Sequence, residues 1–306
     1  MSVLPSGEQW TIRHGDHEAV VVEVGGGLRR YTFRGLEVLA GYPLDAPCPG
    51  GRGQLLMPWP NRIRDGRYTF AGQGHELAIT EPDRGNAIHG LVRWAIWSVL
   101  EQAEDTVTLG CRLRPQQGWE WSLDLSVTYA LTATGLTVTP RACNVGPSAA
   151  PFGFGAHPYL SVGEDRVDEV ELGIPAAAYL EVDDRLLPLE LAGVDGTDLD
   201  FRQPRVLGKL AVDTAFTNVV GDADGCWRVT LAHQRHGRVV TLWADASSYQ
   251  WLQVFTGDSL PAASRRVSGI AVEPMTCPPD AFNSGGDLLV LEPGQEFTAS
   301  WGITPG

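Results

Sequence analysis

The sequence has little positive charge and no long apolar run. It contains one lysine, Lys209, and carries a formal net charge of −14 at pH 7 over 306 residues. Nucleic-acid phosphates are bound by clusters of lysine and arginine, so this balance argues against a nucleic-acid partner. It also gives no support for docking on an acidic membrane surface. Schiff-base chemistry has a single candidate residue, which lies in a segment without any other catalytic signal.

Cysteines are few and irregularly spaced. There are five of them, an odd number, and no two form a Cys-x-x-Cys pair. We therefore expect neither a disulfide framework nor a structural zinc site. The first residues show no basic segment followed by an apolar one, and no apolar run reaches the length of a membrane span. These absences predict a cytoplasmic protein without a membrane segment.

A hydrophobic period of two dominates the chain. In residues 121–129, five large apolar side chains alternate with serine, aspartate and threonine, which predicts a strand with one buried face. Thr134-Gly135 then turns the chain into a second such run at residues 136–139, as in a hairpin. Similar runs, separated by Gly, Pro, Asn and Asp, occupy residues 18–24, 68–70, 106–112, 227–232, 239–243, 250–255 and 297–303.

Helical periodicity is missing: no segment sustains it for more than about two turns. A chain with 43% hydrophobic residues and ten tryptophans can bury a large core. Strand runs at this spacing predict an all-β protein, either a large sandwich or a closed barrel. Residues 193–204 are polar and irregular and are interpreted as a loop. Since no repeat or linker is visible, we expect one domain over residues 1–306.

Common catalytic motifs are absent or out of context. Gly25-Gly26-Gly27 follows one strand-like run and precedes another, where a dinucleotide site needs a helix. The sequence has neither a GxSxG elbow nor an HExxH pair. His14 and His17, like His233 and His236, have a spacing that suits metal ligands. Both pairs lie in polar, turn-like segments, so we interpret them as solvated histidines.

Five segments combine strand character with an unusual polar residue. They are Asn61-Arg62 after a proline-rich corner, His89 before a glycine, His157 in an aromatic run, Asp213 before an apolar run, and Glu273 before a proline. Taken singly, each has an ordinary structural explanation, such as a snorkelling arginine or a satisfied core histidine. Their order and spacing along the chain carry more information than any one of them.

That order resembles the galactose mutarotase (aldose 1-epimerase) family. The resemblance covers about residues 54–301 and rests on Pro60-Asn61-Arg62-Ile63, Gly66-x-Tyr68-x-Phe70, Ile88-His89-Gly90, His157-Pro158-Tyr159-Leu160, Val212-Asp213-x-x-Phe216, Leu252-Gln253-Val254-Phe255-Thr256-Gly257, Glu273 and Leu291-Glu292-Pro293-Gly294. Departures after Gly90, Tyr159 and Glu273 resemble the bacterial branch that includes the sulfoquinovose-operon type.

The resemblance implies a fold, a ligand and a set of roles. The fold is a large antiparallel β-sandwich, and the substrate is a small sugar whose α and β anomers are interconverted without metal or cofactor. Glu273 is then the general base and His157 the general acid, and the residues that hold the sugar are Asn61, Arg62, His89, Asp213 and Gln253. Taking a proton from the C1 hydroxyl and giving one to the ring oxygen opens the ring near neutral pH. We expect Asp213 or Glu273 to keep His157 charged.

Three other functions stay open at this stage. A hexose-6-phosphate 1-epimerase would need further cations, for which Arg52, Arg64 and Arg93 are conceivable. A non-catalytic carbohydrate-binding sandwich would need neither Glu273 nor His157. A metal-dependent isomerase would use His89 together with both of those residues as ligands, and a chelator would distinguish it.

Overall fold

The computed structural model describes residues 3–163, 166–233, 235–267 and 269–306. Strands account for 49% of the residues and helices for 3%. In chain order the strands are β1 (Gln9–His14), β2 (His17–Val22), β3 (Leu28–Phe33), β4 (Leu36–Glu37), β5 (Leu55–Leu56), β6 (Arg62–Ile63), β7 (Arg67–Phe70), β8 (Gln73–Glu76), β9 (Ala87–Ile88), β10 (Ser98–Gln102), β11 (Thr106–Leu113), β12 (Leu123–Thr132), β13 (Gly135–Asn144) and β14 (Ala150–Phe152).

The second half of the chain continues the same pattern. Its strands are β15 (Gly155–Ala156), β16 (Tyr159–Leu160), β17 (Glu171–Gly173), β18 (Ala176–Val182), β19 (Pro188–Gly193), β20 (Arg205–Val206), β21 (Asp213–Val219), β22 (Cys226–His233), β23 (Arg238–Asp245), β24 (Trp251–Phe255), β25 (Ile270–Met275), β26 (Leu289–Leu291), β27 (Glu296–Thr298) and β28 (Trp301–Pro305). Helical structure in the described ranges is limited to α1 (Ala281–Ser284) and the 3-10 turns Arg64–Gly66 and Val167–Glu169.

A ten-stranded sheet forms one layer of the protein. Its order is β10-β11-β12-β13-β28-β23-β22-β17-β20, with β27 also paired to β13. Along β12 every second residue is buried, so the alternation seen in the sequence turns one face of this strand towards the core. A two-residue turn joins β12 to β13, and Thr132 pairs with Gly135. Gly135 has φ +139, and a Cβ there would lie 2.3 Å from the carbonyl oxygen of Ile303, so this position requires glycine.

An eight-stranded sheet forms the opposing layer. Its order is β19-β18-β21-β24-β25-β15-β5, with β16 also paired to β25. Neighbouring strands of both layers run antiparallel. Smaller sheets are formed by β1 to β4 and by the pairs β6-β9, β7-β8 and β14-β26. The eight-stranded sheet carries three of the seven candidate site residues, one each on β21, β24 and β25.

The core lies between the two large sheets, as in a β-sandwich. Val127 and Leu242 from one layer and Val254 and Val272 from the other belong to a single buried cluster. Trp97, Trp119, Trp227 and Trp301 are among the largest fully buried side chains. Burying one large apolar side chain contributes roughly 1.5–3 kcal/mol. This core gives the site a rigid base.

The predicted all-β fold is confirmed, and the predicted runs at residues 18–24, 68–70, 106–112, 227–232, 239–243 and 250–255 correspond to β2, β7, β11, β22, β23 and β24. The prediction of a single strand at residues 297–303 is wrong, because this segment contains parts of two strands, β27 and β28. Residues 194–204 connect β19 to β20 as a loop.

All five cysteines are free thiols. Among the described residues, no helix is long and apolar enough to cross a membrane. A single domain over residues 1–306 stays a prediction.

Candidate active site

Strand register brings four of the predicted residues into one row. Gln253 on β24 pairs with Glu273 on β25, and Asp213 on β21 pairs with Phe255, two residues after Gln253. Paired residues of an antiparallel sheet, and residues two apart along one strand, face the same side. Asp213, Gln253 and Glu273 therefore share one face. His157 lies between the pairings Gly155 to Met275 and Tyr159 to Ala271, which places it opposite Glu273.

His157 and Glu273 are in direct contact at the base of the site. His157 Nε2 lies 3.3 Å from Glu273 Oε1, and the side chains are 7% and 2% exposed. Within the described ranges, Glu273 Oε2 and His157 Nδ1 are buried without a hydrogen-bond partner from another residue. Buried polar atoms are usually satisfied, and leaving one unpaired costs about 1–3 kcal/mol. An acid–base pair with unused hydrogen-bonding capacity is arranged for a ligand.

Asn61 and His89 form a second part of the site, beside the short pair β6-β9. Both have positive φ, 54° and 64°. The His89 amide donates to the Asn61 carbonyl at 2.9 Å, and the Asn61 amide donates to His89 Nδ1 at 3.2 Å. Because Nδ1 accepts, the proton of a neutral His89 ring is on Nε2. Gly90 follows with φ +72, where a Cβ would lie 2.0 Å from the Met57 carbonyl oxygen, so the His-Gly order is a steric requirement.

Amide side chains connect the two parts of the site. Gln253 Nε2 donates to Asp213 Oδ1 at 2.7 Å, and Gln253 Oε1 accepts from Asn61 Nδ2 at 3.3 Å. Asn61 Oδ1 in turn accepts from the Arg62 amide at 2.9 Å. This chain of donors and acceptors orients three polar side chains at once.

Arg62 is held by a glutamate that sequence reasoning did not identify. Its Nε and Nη2 each donate to Glu81 at 2.9 Å, in a bidentate pair. Arg84 Nη1 donates to the same carboxylate at 3.2 Å, and so does Asn86 Nδ2. Glu81 lies in a charged turn before His89, and nothing in that turn distinguished it from an ordinary surface glutamate.

All seven predicted site residues line one cavity of about 160 Å³. The other residues that line it are Gly50, Glu81, Arg84, Ile88, Tyr159, Phe255, Ser259 and Leu260. The cavity combines a few apolar side chains with convergent polar groups, which is the usual composition of a small-ligand site. Tyr159 belongs to the motif quoted above for His157, so the sequence did contain a signal for it.

Burial shifts the pKa values of Glu273 and His157. It raises the pKa of Glu273 well above its ordinary value, with a further rise from Asp213 and opposition from Arg62. Burial, with Arg93 and Arg52, lowers the pKa of His157 to about 3. The expectation that neighbouring carboxylates keep His157 charged is therefore wrong for the free protein, because desolvation outweighs their attraction. Burial thus favours the uncharged form of each group, a protonated carboxyl beside a neutral imidazole.

Burial also shifts the pKa values of His89 and Asp213, which flank this pair. Burial, followed by the positive charge of Arg93, lowers the pKa of His89 well below its ordinary value. Burial raises the pKa of Asp213, although Arg62 and the bond from Gln253 oppose the rise. His89 is thus a neutral hydrogen-bond donor to the cavity, through Nε2.

The interpretation of the other histidine pairs is partly wrong. His17 is 4% exposed, and its Nδ1 lies 2.9 Å from the Tyr31 hydroxyl. His233 is 2% exposed and stacks on His236 with 4.8 Å between ring centroids. His17 and His233 therefore lie at strand ends that pack on the core, whereas His236 is exposed in the turn after β22, as expected.

Comparisons with known proteins show the family of this chain. A sequence model of the family described as aldose 1-epimerase matches residues 8–304. The chain belongs to the aldose 1-epimerase family. One relative, the uncharacterized protein YihR of Escherichia coli K12, is 38% identical over 291 residues, which cover 95% of this chain and 91% of YihR. Human galactose mutarotase is 27% identical over 289 residues, covering 86% of this chain and 80% of its own length.

Solved structures support the fold of this family member. A putative aldose 1-epimerase from Escherichia coli K12 superposes with a TM-score of 0.84 at 22% identity, covering 98% of this chain and 99% of that one. A GalM/aldose epimerase homologue from C. elegans gives a TM-score of 0.85 at 19% identity, with the same coverage. At such identities the likeness shows the β-sandwich and no more.

Proposed function

We propose that the protein is a mutarotase that interconverts the α and β anomers of a hexose. The observation that carries this proposal is the contact between His157 and Glu273, 3.3 Å apart and buried at the base of the cavity. A module that only binds a sugar has no need to bury an acid and a base together, because desolvation of both groups costs free energy. Family membership supports the same activity.

The pair holds one proton to transfer. Moving that proton from the Glu273 carboxyl to His157 Nε2 gives a carboxylate and an imidazolium, with no proton taken from solvent. The two forms have the same proton count, so sugar binding needs only to favour one over the other. Hydroxyl groups that donate to Glu273 favour the ionised form, since hydrogen bonds to a carboxylate stabilise its charge.

Ring opening follows from the placement of the two groups. The C1 hydroxyl oxygen and the ring oxygen of a hexose are bonded to the same carbon, so neighbouring groups reach both of them. Glu273 takes the C1 hydroxyl proton as His157 protonates the ring oxygen, and the C1–O5 bond breaks to give the open aldehyde. Rotation about C1–C2 and the reverse transfers give the other anomer. Fixed geometry removes the entropic cost of bringing three partners together.

The other cavity residues bind the sugar in this proposal. His89 Nε2 donates to a sugar oxygen, and Asp213, Gln253 and Asn61 offer both donors and acceptors to ring hydroxyls. The bidentate bond to Glu81 fixes Arg62 at the wall of the cavity. No cofactor has a place in this scheme, because the reaction involves proton transfers alone.

Polarimetry tests the activity and the substrate class together. We expect the protein to accelerate the change in optical rotation of freshly dissolved glucose, galactose or sulfoquinovose more than that of glucose 6-phosphate. The cations that line the cavity, Arg62 and Arg84, are both paired with Glu81, so neither is free to bind a phosphate dianion. A strong preference for glucose 6-phosphate contradicts this and favours a hexose-6-phosphate 1-epimerase. Sugar binding without acceleration favours a binding module.

Chelation separates the proposal from a metal-dependent isomerase. The nearest ligand-type atoms of His89, His157 and Glu273 lie within 4.8 Å of one another, a spacing that could also suit one divalent cation. We expect the rate of anomer interconversion to be unchanged after EDTA treatment and exhaustive dialysis, because the transfers need only a carboxylate and an imidazole. Loss of activity that returns on adding a divalent ion contradicts this expectation.

His89→Asn tests a binding role. Asparagine tolerates positive φ, and its side-chain oxygen can replace Nδ1 as acceptor for the Asn61 amide, so the variant removes mainly the Nε2 donor. Loss of one hydrogen bond to the sugar costs about 1–3 kcal/mol, so KM should rise roughly 5- to 150-fold with substantial kcat retained. Steady-state kinetics measure both constants. Abolished turnover with unchanged sugar binding moves His89 into the acid–base role instead.

A further inference from the structure

Among the residues that the structure describes, none forms a hydrogen bond to His157 Nδ1 that would fix the plane of the imidazole. A catalytic histidine is commonly oriented by a carboxylate or carbonyl bound to its second nitrogen. Here His157 Nδ1 is buried and, in the described part of the chain, has no such partner. Packing must therefore hold the imidazole plane that aims Nε2 at Glu273.

A stack of three side chains supplies this packing. The imidazole of His157 lies parallel to the ring of Tyr159, with 7° between the planes and 5.1 Å between the centroids. Over the ring of Tyr159, the guanidinium carbon of Arg52 lies 4.1 Å from the centroid. Arg52 is 8% exposed and donates from Nη1 to the Ala40 carbonyl at 3.0 Å. Tyr159 is fixed by a hydrogen bond from its hydroxyl to the Gly50 carbonyl at 3.1 Å.

The remaining sides of the imidazole are also confined. A Cβ on Gly51 would lie 2.9 Å from His157 Cδ2, so the backbone of the same loop closes one edge. His89 packs against the ring in a T-shaped contact with 5.4 Å between centroids. Glu273 lies at Nε2. The nearby charged groups that act on His157 are thus Glu273, Arg52 and Arg93.

Arg52 lacks the carboxylate partner that most arginines here have. Arg62, Arg84 and Arg266 all form ion pairs, whereas no carboxylate lies within ion-pair distance of Arg52 in the described ranges. Its buried charge is therefore not neutralised locally. An aromatic face attracts a cation, but on one face of Tyr159 the guanidinium is already present. A second cation stacked on the same ring would be repelled by the first, so Arg52 disfavours an imidazolium at His157.

We propose that Arg52 is a positioning residue for the proposed reaction, acting through Tyr159 to fix the plane of the His157 imidazole and to keep that imidazole neutral in the free protein. The inference rests on the proposed function for its kinetic consequence. Its electrostatic part concerns the free protein and can be tested without any turnover.

The direct test follows the carbon NMR signal of His157 while the pH is lowered. The signal is assigned by its absence from His157→Asn. In Arg52→Gln, protonation should begin about one pH unit higher than in the wild type, the effect expected of a unit charge acting across one ring at an effective dielectric constant of about 20. The acid limb of kcat/KM should move upward by a similar amount. Circular dichroism at each pH shows that both proteins remain folded.

Two further variants separate the stack from other effects. Arg205 lies over the ring of Phe201 at 4.5 Å and donates to main-chain carbonyls on the edge of the other sheet. Arg205→Gln should therefore leave unchanged both the titration of His157 and the pH profile of kcat/KM. Arg93→Gln removes a nearby charge that is not part of the stack. This variant should raise the pH at which His157 titrates. In the pH range where kcat is constant, Arg93→Gln should leave kcat nearly unchanged, whereas Arg52→Gln should lower it several-fold.

A folded Arg52→Gln protein with the wild-type titration of His157 overturns the inference, even if the protein is an active mutarotase. If wild type has no mutarotase activity but the titration moves as expected, the proposed function fails and the electrostatic role of Arg52 stands. Should Arg52→Gln not fold, Arg52→Lys takes its place. Lysine keeps the charge but loses the planar contact with Tyr159. The pH at which His157 titrates should therefore stay unchanged, and kcat should fall. An unchanged kcat contradicts the positioning role.

Discussion

Replacing Glu273 with glutamine is expected to lower kcat for anomer interconversion by a factor of at least about 10², with sugar binding retained. The carboxyl is 2% exposed, and burial raises its pKa well above the ordinary value. Burial therefore favours the uncharged carboxyl, and a glutamine of the same shape replaces it at little cost in folding free energy. What the variant cannot do is take the proton of the C1 hydroxyl.

Asp213→Asn is the matched control for Glu273→Gln. Asp213 is a second, partly buried carboxyl group on the same face of the sheet, and it accepts a hydrogen bond from Gln253 at 2.7 Å. It does not contact His157, so its loss should raise KM more than it lowers kcat. Turnover of Glu273→Gln near the wild-type rate, with Asp213→Asn strongly impaired in kcat, would transfer the base role to Asp213.

His157→Asn should cause a comparable loss in kcat and change the shape of the pH profile. One protonation and one deprotonation limit the pH range in which the wild type is active. As the pH falls, the neutral imidazole, whose pKa is lowered to about 3, takes a second proton, which sets the acid limb of kcat/KM. As the pH rises, the Glu273 carboxyl, whose pKa is raised, loses the one proton of the pair, which sets the alkaline limb. In His157→Asn the pair no longer needs a proton for the imidazolium, so the alkaline limb should disappear and the residual activity should rise with pH as Glu273 ionises.

His75→Asn controls for the loss of a buried histidine. His75 is 8% exposed, stacks on Tyr68 with 4.8 Å between ring centroids, and has a buried Nε2 without a partner in the described ranges. It lies outside the candidate active site. Its replacement should lower stability as much as that of His157 and leave kcat and the pH profile unchanged. If His157→Asn keeps the alkaline limb of the wild type, a group other than His157 supplies the catalytic proton.

Sequence reasoning predicted the strands and the identity of the site residues for definite physical reasons. Alternation along β12 is strict because one face of that strand is buried at every second residue. The His89-Gly90 order is readable because the close approach of the Met57 carbonyl excludes a Cβ. Such requirements act at one position and leave a trace in the residue type there.

Features that depend on pairing across the sheet left no such trace. The contact between His157 and Glu273 follows from a register that joins residues more than a hundred positions apart. Protonation of the pair was predicted wrongly, because it depends on burial, which no local pattern shows. Glu81 and Arg52 were not singled out for the same reason: their roles come from contacts with Arg62 and Tyr159, which tertiary structure alone creates.

Proton NMR saturation transfer between the α and β anomeric protons tests the central claim most directly, because it measures their interconversion at equilibrium. The sample is the aldose with the largest polarimetric acceleration, with wild type and folded Glu273→Gln compared at equal concentration. The account predicts rapid transfer with wild type and a rate lower by about 10² or more with the variant. Equal transfer with the two proteins, or no transfer above buffer with wild type for any aldose of the panel, would contradict it.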